Sequence, residues 1–185
     1  MDERTLTKLT ATGGLKMNQE ATNNLTLKNI YEVVCLDSEG KEKWREEVQN
    51  LVVDTGLNDI LDKYWKGSTY SATHYVGLMK TGTTVAAADT MSTHTGWAES
   101  ADYTESVRQT LTLGTVASKS VDNTASKAEF SINATVTITG AFITTSNTKS
   151  GTAGTLIGAV AFGSSRAVIS GDTLQVTCTL TAASA

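Results

Sequence analysis

The sequence predicts a mainly β fold, an antiparallel β-sandwich or jelly roll with one short amphipathic α-helix and an extended N-terminal arm. Three observations lead there. Threonine supplies about one residue in six and proline is absent. The β-branched Thr side chain suits a pleated surface, and without Pro the turns fall to Gly, Asn, Asp and Ser. Residues 127–138 alternate Ala128, Phe130, Ile132, Ala134, Val136 and Ile138 with Glu129, Ser131, Asn133, Thr135 and Thr137, the period of a strand with one face in a core. Finally, several short apolar runs are divided by Gly-bearing turns with no β–α–β rhythm, which favours packed antiparallel sheets.

Taken in order, residues 1–29 are polar with scattered leucines and a Gly13-Gly14 break. They read as an arm that orders only where it can lie on something, either a loose tail or a clamp on a neighbouring subunit. Residues 30–185 form the body. Ile30–Leu36 is a strand, Asp37-Ser38-Glu39-Gly40 a hairpin turn, and 41–48 a more polar return strand on which Trp44 and Val48 share a face. That thin apolar stripe places the hairpin at a sheet edge or against a partner.

Leu57, Ile60, Leu61, Tyr64 and Trp65 fall at helical spacing and predict an amphipathic helix over about 55–66. Asp54 or Thr55 is positioned to cap it and Gly67 to end it, and its stripe is expected to cover one opening or face of a sheet. Further strands are predicted at 74–79, 106–115, 127–138 continuing past Gly140 to Ile143, 156–162 and 167–169. After a Ser170-Gly171-Asp172 turn, a last strand alternates Leu174, Val176, Cys178 and Leu180 with Gln175, Thr177 and Thr179. Residues 81–104 form a long polar loop.

A formal charge of -4 argues against a general nucleic-acid binder, which needs clustered Lys and Arg. The charge is uneven: residues 1–105 hold 10 of 15 basic and 16 of 19 acidic residues, leaving 5 and 3 for the rest. No run approaches the ~18 apolar residues of a membrane span, and the acidic start is unlike a secretory signal, so synthesis in a cytoplasm is expected. Cys35 and Cys178 sit in apolar strand-like runs and read as two buried small hydrophobes, with a disulfide between them as the alternative.

Motifs for catalysis are missing from the sequence. There is no Gly-x-Ser-x-Gly elbow, phosphate loop or dinucleotide fingerprint, and two distant Cys with two separated His make no zinc cluster. Asp89, His94, Glu99 and Asp102 in the long loop are the one constellation that merits weighing as base or metal ligands. With no nucleophile beside them, a structural or interfacial role is expected, and no catalytic residue, cofactor or metal is assigned. Trp97 and Tyr103 in the same loop read as a packing cluster or as anchors of a subunit interface. The candidate partner-binding residues are Leu6, Leu9, Leu15, Met17, Leu25, Leu27, Trp44, Trp97 and Tyr103.

Several spacings carry a family resemblance. They are Asn50-Leu51-Val52, Gly56-Leu57-Asn58, Ile60-Leu61-Asp62, Tyr75-Val76-Gly77-Leu78 and Ala88-Asp89-Thr90 with His94. Gly96-Trp97-Ala98-Glu99 with Tyr103, Gly140-Ala141-Phe142, Gly154-Thr155-Leu156, Phe162, Arg166 and Gly171-Asp172-Thr173-Leu174 complete the set. Over residues 30–182 this pattern resembles tailed-bacteriophage capsid decoration, or cement, proteins with jelly-roll bodies. The resemblance implies a non-enzymatic virion protein on the capsid exterior, with the major capsid protein as partner and self-association as a dimer or trimer. Similar sequences are also tail proteins, so a tail or fibre component, including a receptor binder, is the alternative it carries.

Overall fold

The computed structural model describes residues 25–70 and 73–184, and the candidate residues Leu6, Leu9, Leu15 and Met17 lie outside them. Within β1 (Leu25–Leu36), Asn29, Tyr31, Val33 and Cys35 turn inward at alternate positions. This strand begins five residues before the sequence-predicted one, so Leu25 and Leu27 belong to a sheet. β2 (Glu42–Gln49) returns alongside it as an edge strand, and β11 (Thr173–Ser184) pairs with its other side from Leu25↔Ser184 to Leu36↔Thr173. β8 (Ala128–Ser131) and β7 (Ser120–Asp122) pair with successive parts of the far side of β11.

The second sheet runs β3 (Leu51–Val52), β10 (Leu156–Val168), β9 (Val136–Thr144), β4 (His74–Lys80), with β5 (Ala98–Ser100) and β6 (Gln109–Leu111) sharing the free side of β4. All pairings are antiparallel. The architecture is an antiparallel β-sandwich. Tyr31, Val33, Phe130, Leu174 and Val176 of the first sheet meet Val76, Leu78, Ile138, Ile143 and Val160 of the second in one core.

Alternation is lost in the second sheet because both of its faces are covered. Val76–Met79, Ile138–Thr144 and Leu156–Val160 are buried without a break, as in strands packed on two sides. Their outward residues Met79, Phe142, Leu156 and Ala159 form a second core with Val53, Met91 and Trp97. The long 81–97 loop is therefore a lid on that face. The ring of Phe142 lies directly over Gly77, where a Cβ would collide with it.

Two expectations are corrected. The 127–138 run is not one strand: β8 lies in the first sheet and β9 in the second. The chain leaves at Ile132, which gives its N–H to the Asp172 carbonyl (2.8 Å) and accepts from Gly171 N–H (2.9 Å). The predicted 106–115 strand shortens to β6, because the backbone N–H of Arg108 goes instead to the Asn147 carbonyl (2.9 Å). Cys35 and Cys178 are free and buried.

Candidate interaction surface

The helix predicted at 55–66 forms as α1 (Asp54–Ile60) followed by a π-helical turn, Leu61–Trp65. Val53 occupies the N-cap position without a side-chain bond. Thr55 does not cap the helix but donates to the Leu156 carbonyl (2.7 Å). Gly67 takes φ +79°, the left-handed conformation foreseen for the stop.

The stripe behaves opposite to expectation. α1 meets β10 through Gly56, its buried residue, where a Cβ would collide with the Ile157 carbonyl. A backbone approach this close leaves no space for bulky side chains between helix and sheet, so they are displaced to the flanks. Leu57 is 41%, Leu61 56%, Trp65 72% and Tyr64 80% exposed. Tyr64 and Trp65 meet edge-on at 5.6 Å and cap a projecting apolar ridge.

Beside α1 a groove opens, with Tyr64 standing between it and the rest of the ridge. Its larger lobe, about 510 Å³, is walled by Ile60, Tyr64, Tyr70, Leu111, Leu113 and Ile143, with Asp59, Lys63 and His74 also contributing. Ile60, Ile157 and Leu180 are shared with a smaller lobe of about 290 Å³ that also touches Leu27, Val116 and Val121.

The long-loop constellation does not converge on a common point. Asp89 accepts Trp97 Nε1–H (2.9 Å) and the Ala86 N–H (3.0 Å). His94 stacks on Trp97 at 3.8 Å, with its Nδ1 3.0 Å from the Trp97 carbonyl. Glu99 accepts two bonds from the fully buried Arg108 (2.9 and 2.7 Å), whose other N–H groups reach the carbonyls of Ser146 and Gly151. Asp102 accepts from Lys80 (2.7 Å) and Ser100 (2.8 Å), and the Lys80 bond, against the effect of burial, holds its carboxyl below the usual range. Each group is committed to locking the lid. Among the described residues, no group of three or more His, Cys, Asp and Glu is placed to hold a metal.

Trp97 and Tyr103 are inside the molecule, 4% and 1% exposed. Trp97 packs at 5.1 Å from Phe142, and Tyr103 meets Phe130 edge-on at 5.0 Å. As candidate partner residues they are thereby corrected to core residues of this chain, since a buried ring offers no contact area. Trp44 is half-buried against Phe162 with Arg166 over its ring. Leu25 is exposed and Leu27 helps to wall the groove.

Burial, then the nearby Asp172 carboxylate, pushes the Cys35 thiol up to about 12, and burial also raises Cys178. Both are un-ionised at neutral pH and poor nucleophiles. Sequence reasoning missed Gly56, Tyr70 and Arg108. Gly56 alone carried a signal, since glycine inside a helix is costly and marks a close approach. No protein-family model matches the chain, and no curated protein does either.

Proposed function

We propose that this protein is a non-enzymatic virion structural protein, a decoration protein that binds the major capsid protein lattice of a tailed bacteriophage and stabilises the head. The carrying observation is the apolar ridge of Leu57, Leu61, Tyr64 and Trp65. Clustered exposed apolar and aromatic side chains are the usual anchors of protein interfaces. Fully burying each would contribute roughly 1.5–3 kcal/mol, enough for useful adhesion when many copies act on one shell.

The identity of the partner rests on the sequence resemblance over residues 30–182. Self-association as a dimer or trimer belongs to the same reading and would multiply the contacts each unit makes. Copy number in purified particles, together with cryo-electron microscopy of the head, tests it. Hundreds of copies on the outer capsid surface are expected. A few to a few tens of copies confined to the tail would overturn it in favour of a tail or fibre component.

A further inference from the structure

No described residue covers the groove beside α1, although its walls are mostly hydrocarbon. Two facts select an occupant. Twenty-four residues precede β1 and join it at Leu25, and Leu27, two positions further on, is part of the groove wall. The described chain therefore begins beside the smaller lobe. That segment is polar except for Met1, alanines and the set Leu6, Leu9, Leu15 and Met17, and residues two apart on an extended chain share a face.

Residues 18–24 (Asn-Gln-Glu-Ala-Thr-Asn-Asn) lack large apolar groups and span at most ~25 Å, enough to turn back along the body. We propose that the groove is the seat of this chain's own N-terminal segment, with Leu15 and Met17 filling the larger lobe. Gly13-Gly14 then permits the bend that brings Leu6 and Leu9 along its rim. Of the four ridge residues Leu57, Leu61 and Trp65 do not line the groove and Tyr64 does, so the segment and the capsid contact would meet at that one side chain.

Disulfide trapping in the full chain tests it. Met17→Cys with Leu113→Cys is expected to close an intramolecular disulfide at least tenfold faster than Met17→Cys with Ser38→Cys, an exposed turn position beyond the opposite end of β1. The native cysteines are buried and do not compete. Equal rates for the two pairs would overturn the proposal. So would a disulfide-linked dimer from the Leu113 pair, which would assign the groove to a second copy's segment. As a second readout, Leu15→Asp with Met17→Asp should raise the fluorescence of anilinonaphthalene sulfonate severalfold. A native chain that already binds the dye equally well would have an open groove and also sink the idea.

Discussion

The 81–97 lid and the α1 region are both non-strand segments set against the second sheet, yet they dispose their large apolar side chains in opposite ways. The lid is polar in sequence but turns Met91 and Trp97 inward, and Asp89 anchors the Trp97 indole. The helix is amphipathic in sequence, like a core helix, but presents Leu61, Tyr64 and Trp65 to the outside. Local polarity is therefore a poor guide to which aromatic is core and which is surface. For Trp97 the deciding factor is that Asp89 satisfies its indole N–H, and for the helix it is how closely the backbone approaches the sheet at Gly56.

The largest effect should come from truncating the lid's anchor. Trp97→Ala removes a buried ring between Phe142 and His94 and is expected to cost about 3–5 kcal/mol in urea denaturation. A cost below about 1 kcal/mol would mean that the lid is not part of the core.

A smaller effect belongs to the turn that holds the first sheet to the sheet switch. Burial pushes the Asp172 carboxyl up, but the Lys43 ammonium at 2.6 Å and the Ile169 N–H at 2.9 Å outweigh it and leave it below the usual range. A carboxyl depressed in the folded state stabilises fully above its unfolded pKa of ~3.9 and loses that stabilisation as pH falls through the folded value. Asp172→Asn should cost about 1–3 kcal/mol near neutral pH. The gap to the native chain should narrow below about pH 4. A gap constant down to pH 2 would contradict the linkage.

The smallest stability effect, and the most pointed contrast with Trp97, is expected at the ridge. Trp65→Ser should change the stability of the isolated chain by less than about 0.5 kcal/mol while weakening the capsid attachment proposed above. If it cost as much as Trp97→Ala, the ridge would be packed within the chain and the contrast would collapse.

Much of the sandwich was legible because alternation and Gly-bearing turns report burial directly. Strands β1, β2, β4 and β11, the helix and the Gly67 stop were all readable this way. The switch of sheets at Ile132 was not. Ile132 remains buried as the chain crosses, so the inward–outward rhythm continues unbroken while the hydrogen-bond partners change. Period alone cannot register that change. The ridge was half legible: the stripe was evident, but which side of it met the sheet depended on Gly56. Arg108 was not legible, because its partners Ser146 and Gly151 are distant in sequence and act through backbone carbonyls.

The pairing of β1 with β11 along twelve positions also fixes an order of events during biosynthesis. The first sheet joins the earliest described strand to the latest, so it cannot close until residues 173–184 have been made. Until then Tyr31, Val33 and Cys35 have no partner strand on that side. Loop closure over such a separation precedes any reward from the contacts it creates. Folding is then expected on the millisecond-to-second scale of non-local β proteins, with a late, all-or-none closing step. A nascent chain stalled before residue 173 would hold an incomplete first sheet, leaving its central strand open to aggregation.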